Sequence, residues 1–449
     1  MKKTLLGAIA MILVALLYYF TVGSKQITEE IKKGVNSAVL ELNSNGFRTQ
    51  KKKITQTKEH IEIELNNTQK IENLLKNHGF TEIDREKLMA LEGAVIGVDI
   101  VYNPSPTKAI AMDIYPIKTP TLFNQYIKDD NGTKIKKRVE ELLKSRAILT
   151  HIEINKLATA FDGYLKDINI DNEIKILGVK FNGDIKLNSR PTIKSIYETI
   201  DRIEIKSIED NMLFRISNVK ATIKNPLEEF KKQSRFSIES IEIKNVLFSQ
   251  KNGIVVKNLH GESYDRVGVN SLIDSKLKLN ISELNITSQT EPKELLFKNL
   301  SLESDIKNAD MEIFKRLNNM EKMSDEKALK EFKKVFQKLA KDKFKIEIKN
   351  FSIANIQLEK SKIEGFDLTA SIFLDDSIDI STLNSDNIFD AFNLKLNLEA
   401  SNELVSAISS NPNAMVLMMI LQPIDKNGKK VYNIEYSKGS LKINGKPFL

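Results

Sequence analysis

The chain of 449 residues contains no cysteine. This absence excludes disulfide bonds, thiol catalysis and thiolate metal sites. A chain of this length can be stabilised by a hydrophobic core alone. Its 41% of hydrophobic residues are spread evenly, as in a folded domain.

Recognisable catalytic motifs are also missing. The four histidines are His60, His78, His151 and His260. None lies four residues from another, and there is no H-E-x-x-H, G-x-S-x-G, Walker or G-x-G-x-x-G motif. The carboxylates of Asp375, Asp376 and Asp379 could form an acid–base pair, but a solvated turn is the favoured interpretation. We therefore predict a protein that is not an enzyme and has no metal or cofactor.

Charge of one sign is not concentrated in this chain. The net charge of +8 comes from 68 basic and 60 acidic residues, which indicates an ordinary mixed surface. Attraction to an anionic lipid surface is the alternative. No RNA-recognition signature and no basic cluster with interleaved aromatics is present, so no nucleic acid partner is predicted.

Long hydrophobic runs are missing except for one, Thr4–Val22. Its 19 residues would form a helix of about 28 Å, close to the ~30 Å hydrocarbon core of a bilayer. We predict a cytoplasmic stub at 1–3, a transmembrane signal-anchor at 4–22 and a domain at 23–449. A cleaved signal peptide is the alternative, but Tyr18, Tyr19 and Phe20 are typical of an interfacial belt. The predicted location is a single span in a bacterial inner membrane, with the domain in the periplasm.

Strand signals dominate after this run. Five phrases alternate apolar and polar residues: Ile61–Glu64, Ile152–Asn155, Ile203–Lys206, Ile241–Lys244 and Ile346–Lys349. Because alternation gives a strand one buried and one wet face, we interpret them as equivalent strands. Their spacing is irregular, so a strict solenoid is not indicated. The predicted fold is α+β and β-rich, with large antiparallel twisted sheets and a few packed helices after the transmembrane helix.

Asn-Gly pairs predict hairpin turns, because this dipeptide readily adopts positive φ. We expect such turns at Asn182-Gly183, Asn252-Gly253 and Asn427-Gly428. The last would open a C-terminal meander that continues through Ser437-Lys438-Gly439.

Two helical segments bear on function. Residues 325–341, within a helical insert at about 307–343, carry one apolar stripe; packing against the sheet is the main interpretation and a partner-binding face the alternative. The segment 413–422 is apolar all round and too short to span a bilayer. It is interpreted as a buried helix or as a Met-rich lip for an apolar ligand, in which case the lining residues are Met415, Leu417, Met418, Met419 and Leu421.

Three sequences match the acidic-extended acceptor of bacterial N-glycosylation systems. The acceptor residues are Asn66, Asn131 and Asn285, each with an acidic residue at −2 and threonine at +2. Glycosylation at these asparagines is a hypothesis, because chance matches are expected in an Asn-rich chain.

Three stretches resemble the YdgA-like family of bacterial envelope proteins. They are residues 19–26, residues 300–317 with the phrase NADMEIFKRL, and Gly439–Lys446 after Tyr432. The resemblance implies an inner-membrane anchor and a large periplasmic β-rich domain. It carries no functional residues over to this chain.

The leading functional prediction is a non-catalytic envelope protein that binds a protein partner or an apolar or lipid ligand. A looser likeness to AsmA-type envelope proteins, at the level of fold, favours the lipid version. Two alternatives stay open: a hydrolase of cell-wall or lipid substrates, and an assembly scaffold for other membrane proteins.

Overall fold

The computed structural model describes residues 27–448, except 78–84, 127–129, 187–191, 208–210, 227, 229–230, 246–251, 269–271, 289–293, 311, 314–315, 317–324, 359–360, 375–387 and 410–420. Among these residues, none of the helices is both long enough and apolar enough to cross a bilayer. The predicted transmembrane segment 4–22 lies outside the described residues.

The described chain is β-rich and its strands pair antiparallel, as predicted. The strands are β1 Phe47–Lys53, β2 Lys58–Leu65, β3 Val95–Tyr102, β4 Lys108–Lys118, β5 Thr150–Asn155, β6 Ala160–Leu165, β7 Ile168–Ile170, β8 Ile174–Leu177, β9 Lys180–Lys186, β10 Thr192–Ser207, β11 Met212–Lys224, β12 Gln233–Asn245, β13 Gly253–Val267, β14 Ile273–Thr287, β15 Glu294–Ala309, β16 Lys345–Leu358, β17 Ser361–Leu374, β18 Phe392–Ser401, β19 Ile424–Lys426, β20 Lys429–Ser437, β21 Ser440–Ile443 and β22 Lys446–Pro447. The α-helices are α1 Ile27–Ser44, α2 Thr68–Asn77, α3 Arg85–Met89, α4 Thr121–Tyr126, α5 Asp130–Lys144, α6 Asp325–Lys341 and α7 Asn402–Ser409.

Contacts divide the chain into two compact units. Unit 1 comprises Met1–Ile205 with Asn218–Glu229, and unit 2 comprises Lys206–Ser217 with Phe230–Leu449.

Unit 1 is a meander with helices on one face. Strands β1 to β6 pair in sequence order, and β9 and β10 follow β6. Alternation buries Ile61 and Ile63 of β2 and Ile152 and Ile154 of β5, as the repeated phrase predicted. These side chains share one core cluster with residues of α1, α2 and α3, including Val35 of α1.

The predicted hairpin at Asn182-Gly183 is wrong, because both residues lie inside β9. Gly183 sits against the ring of Phe161, and an added Cβ would lie 2.6 Å from Phe161 Cζ and 2.2 Å from the Ser195 carbonyl oxygen. This glycine therefore permits a close approach within the sheet and makes no turn. At Asn252-Gly253 the hairpin β12–β13 is present, but most of its connection, 246–251, lies outside the described residues. The turn at Asn427-Gly428 and the meander after it are confirmed, since β19, β20 and β21 pair in order.

Unit 2 is a meander of longer strands, up to 16 residues in β15. Strands β12 to β18 pair successively, β18 pairs with β20, and β20 with β21. Helix α6 lies between β15 and β16, within the predicted helical insert.

Strands β13 to β17 of unit 2 share one transverse row at which the alternation of apolar and polar residues shifts by one position. In β13 the apolar face carries Val256 and then Leu259, three positions later, because Asn258 between them has φ of 50°. Asn299 in β15 has φ of 54° and the same role. The flanking pairs place residues 258, 282, 299, 354 and 365 opposite one another. Asparagine tolerates this left-handed conformation better than most residues, so β13 and β15 can shift their alternation at this row while the pairing on either side of it is kept.

Candidate apolar-ligand site

One face of the unit 2 sheet is apolar along several neighbouring strands. The cross-strand register aligns apolar side chains in rows, because facing residues of antiparallel strands point to the same side. One row is Leu279, Leu302, Phe351, Leu368, Leu398 and Tyr432. A second is Ile306, Ile346, Ile372, Leu394 and Tyr436, and a third, beyond the asparagine row, is Val256, Leu284, Phe297, Ile356 and Ile363.

The opposite face carries the charges, arranged as cross-strand ion pairs. Lys257 Nζ lies 2.7 Å from Glu283 Oε1. Glu347 lies between Lys307 Nζ at 2.6 Å and Lys345 Nζ at 2.5 Å. Hydrogen bonds from Lys307 and Lys345 lower the pKa of Glu347 to about 2. The sheet is therefore amphipathic, with a solvated charged side and an apolar side.

Two helices of unit 2 cover parts of the apolar face. Leu404 and Val405 of α7 join a buried cluster with Ile353 and Ile363 of the sheet. The C-terminal part of the α6 stripe is buried as well: Val335, Phe336 and Leu339 belong to a cluster with strand residues at the other end of the face. The main interpretation of that stripe, core packing against the sheet, is confirmed.

Besides Ile254 and Val267 at the two ends of β13, four large side chains on the apolar face are exposed within the described part of the chain. They form the apolar patch: Leu277 is 37% exposed, Ile306 36%, Phe351 36% and Ile372 41%. They lie on the four consecutive strands β14 to β17. The patch covers three successive rows, which correspond to about 13 Å along the strands and about 14 Å across them. Apolar side chains in the middle of a long sheet are normally covered, so these four exposed side chains are the candidate binding surface of unit 2.

The predicted ligand lip is only partly described. Met415, Leu417, Met418 and Met419 lie outside the described residues. Leu421 is half-buried and packs against the cluster that contains Tyr432. The end of the predicted lip therefore contacts the apolar face.

The three predicted glycosylation acceptors lie in different settings. Asn66 is exposed between β2 and α2, and its Oδ1 accepts a hydrogen bond from Arg48 at 3.2 Å. Asn131 is in the first turn of α5. Asn285 lies within β14, paired on both sides, and donates to Glu294 Oε1 at 2.9 Å. Glycosylation at the three asparagines stays a prediction.

Sequence reasoning missed a pair of histidine–aspartate contacts on the unit 1 sheet, on the face opposite its core. His60 Nδ1 lies 2.6 Å from Asp99 Oδ1, and His151 Nδ1 lies 2.6 Å from Asp113 Oδ1. The register places Asp99 directly opposite Asp113, so the four side chains form one row. The hydrogen bond with Asp113 raises the pKa of His151. The alternating phrases place His60 and His151 on the face opposite the buried isoleucines. A single sequence does not show which residues of the neighbouring strands pair with them.

Two further side chains contact Asp99 of this row. Arg146 lies over the ring of Tyr115 at 3.8 Å and donates to Asp99 Oδ2 at 2.7 Å. Tyr115 also donates to Asp99 Oδ2, at 3.0 Å. Within the described ranges no group of three or more acidic or histidine side chains is placed to hold a metal ion. His260 lies on β13, while His78 and Asp375, Asp376 and Asp379 are outside the described residues.

Comparison of the chain with protein-family models, with curated proteins and with solved structures finds no match.

Proposed function

We propose that this chain is a non-catalytic, membrane-anchored envelope protein whose unit 2 binds the acyl chains of a lipid on the apolar patch. The observation that carries this proposal is the exposure of Leu277, Ile306, Phe351 and Ile372 on four neighbouring strands of the apolar face. On β14 to β17 the rows in which they stand contain no charged side chain, so this part of the surface suits hydrocarbon. The row of Ile306 reaches a charge on the next strand, β13, where Asp265 accepts a hydrogen bond from Ser275.

The size of the patch supports an acyl chain as the occupant. One leaflet contributes about half of the ~30 Å hydrocarbon core, so an acyl chain is about 15 Å long in a membrane. The patch measures about 13 Å by about 14 Å. One chain would therefore span the patch along the strands, and several chains side by side would cover its width.

The apolar run at Thr4–Val22 and the resemblance to YdgA-like envelope proteins support the location. A chain anchored in the inner membrane with its domain in the periplasm has lipid within reach, which makes an exposed hydrocarbon-binding surface useful. The YdgA-like assignment and the periplasmic location are parts of the proposal.

Site-specific photocrosslinking in cells tests the proposal. A benzophenone amino acid replaces Leu277 or Phe351 in the full chain, and the adducts are identified by mass spectrometry. The strand supplies the matched controls, because Lys278 and Ser352 are the next residues and point to the charged face. We expect lipid adducts at Leu277 and Phe351 and none at Lys278 and Ser352.

The other functional predictions give different outcomes in the same experiment. A protein adduct at both patch positions would favour the partner-binding or scaffold alternatives and would overturn lipid binding. Equal lipid adducts on the two faces would also overturn it, because they would report general membrane proximity. A hydrolase would show release of a product from cell-wall or lipid substrates by the purified full chain.

A further inference from the structure

We propose that one end of unit 1 docks on an anionic bilayer surface through its hairpin tips. This inference rests on the anchor of the proposed function but is independent of the apolar patch in unit 2. The tips are the β1–β2 turn at 54–57, the β3–β4 loop at 103–107 and the β5–β6 turn at 156–159. They are joined side by side, because Tyr102 N donates to Thr57 O at 2.9 Å and Lys156 N donates to Thr107 O at 3.0 Å.

Two apolar side chains project from these tips. Ile54 is 56% exposed and Leu157 is 67% exposed, the latter among the highest values for a large hydrophobic residue in the described chain. A short turn in water normally carries polar residues at such positions. Isolated apolar side chains at hairpin tips suit shallow insertion at a headgroup boundary.

The surroundings of the tips are basic. Lys52, Lys53 and Lys58 are exposed beside Ile54. The acidic group of this hairpin that is nearest the turn, Glu59, is already engaged, because its carboxylate lies 2.9 Å from Lys51 Nζ. Lysines near an anionic lipid surface add attraction that salt screens. The charge and the apolar tips therefore point to the same partner, a bilayer containing anionic phospholipid.

The path of α1 brings the predicted anchor to this same end. Asn43, near the end of α1, bonds to Thr49 early in β1, with Thr49 N to Asn43 Oδ1 at 2.9 Å. Further back, Asn36 accepts from Lys51 Nζ at 2.5 Å. Lys32 Nζ lies 5.5 Å above the ring of Tyr102, the last residue of β3 before the 103–107 loop. The helix thus runs antiparallel to β1, and its first residue, Ile27, is at the end that carries the tips.

Only four residues, 23–26, separate the apolar run at Thr4–Val22 from α1. Because an extended chain spans at most about 3.6 Å per residue, α1 must begin within about 15 Å of the membrane boundary. A bilayer that holds residues 4–22 is therefore close to Ile54 and Leu157.

The absence of cysteine makes the test direct. The full chain is reconstituted into phosphatidylcholine vesicles with or without phosphatidylglycerol, as Ile54→Cys, Leu157→Cys or the control Glu92→Cys, each labelled with an environment-sensitive fluorophore. Glu92 is exposed just before β3, at the end of the sheet opposite the tips. Quenching by lipids brominated on their acyl chains then reports insertion.

We expect quenching at Ile54 and Leu157, stronger with phosphatidylglycerol and weaker at high salt, and little at Glu92. Adding Lys52→Gln, Lys53→Gln and Lys58→Gln to Ile54→Cys should reduce the phosphatidylglycerol-dependent part several-fold. Equal quenching at Ile54 and Glu92 would overturn the proposal, and so would quenching that is the same with and without phosphatidylglycerol. Neither result bears on photocrosslinking at Leu277, so the two proposals fail separately.

Discussion

Placing a charge in the apolar patch should abolish lipid binding while leaving the fold intact, and Leu277→Glu is the sharpest test. Full burial of a leucine contributes about 1.5–3 kcal/mol. With 37% of Leu277 exposed, roughly 0.6–1.1 kcal/mol is left for a ligand to gain there. The four patch residues together then offer roughly 2–4 kcal/mol.

A glutamate at this position loses that gain and adds the cost of desolvating a carboxylate, which is several kcal/mol per buried ion. This cost exceeds the whole contribution of the patch, so lipid occupancy should fall at least about tenfold. Leu277→Ala loses only the apolar gain and should lower affinity about threefold to sixfold. Lys278→Glu, on the charged face, should have no effect.

The assay is the yield of lipid adduct from a benzophenone at Ile372, measured in cells with each Leu277 variant. The thermal midpoint of the purified full chain, followed by circular dichroism, controls for folding. We expect a small decrease in midpoint, because a side chain at this half-exposed position can reach water. An unchanged adduct yield in Leu277→Glu with a normal midpoint would refute the assignment of the patch.

Three further predictions concern stability. Gly365→Ala should lower the free energy of unfolding by about 2–3 kcal/mol, because the added Cβ would lie 1.8 Å from the Ile353 carbonyl oxygen. In the control Gly445→Ala the added Cβ meets no atom within 4 Å, so the loss should be only about 1 kcal/mol, owing to the φ of +79°. Urea unfolding of the two variants measures the difference. Glu347, with a pKa of about 2, stabilises the fold by about 2 kcal/mol at neutral pH. This stabilisation is lost as the pH falls from about 4.5 to 2, because the carboxylate is protonated in that range. Glu347→Gln should therefore flatten that part of the acid-unfolding curve. The raised pKa of His151 contributes stability that is complete below pH 6.5 and lost as the pH rises through its folded-state pKa; a His151→Gln variant that kept this alkaline loss would contradict the His–Asp contact.

Local alternation was enough to predict the strand-rich class and, in two of the five phrases, which residues face the core; in Ile203–Lys206 the prediction is wrong, because Glu204 is 2% exposed and the isoleucines beside it are only half-buried. In Ile61–Glu64 and Ile152–Asn155 the isoleucines are buried and the polar residues are not, because a pleated strand has a period of two. The burial of the apolar stripe of 325–341 was predicted equally well, because helical spacing groups its apolar residues on one side. The structure buries Val335 and Leu339 of this stripe.

Features that depend on pairing could not be predicted. Asn182-Gly183 has the composition of a turn, but the ring of Phe161, 22 positions away, requires a glycine inside the strand. The patch depends on which strands are neighbours and on where α6 and α7 stop covering them. The histidine contacts arise from registers between strands up to 39 residues apart.

The isoleucine phrases are irregularly spaced, whereas Asn258 and Asn299, both with positive φ, are 41 residues apart, one in each of two successive pairs of strands. These two asparagines lie in the row where the alternation shifts, whereas the isoleucine phrases reflect only the pleat.

Because the bend falls at the same level in successive hairpins, a duplicated 40-residue hairpin would dock on its own parent with every layer matched. Each such duplication would widen the sheet by about 10 Å, two strand spacings, without disturbing the helices at its ends. The sheet could thus be lengthened or shortened in evolution by whole hairpins, and the area of its apolar face would change in equal steps.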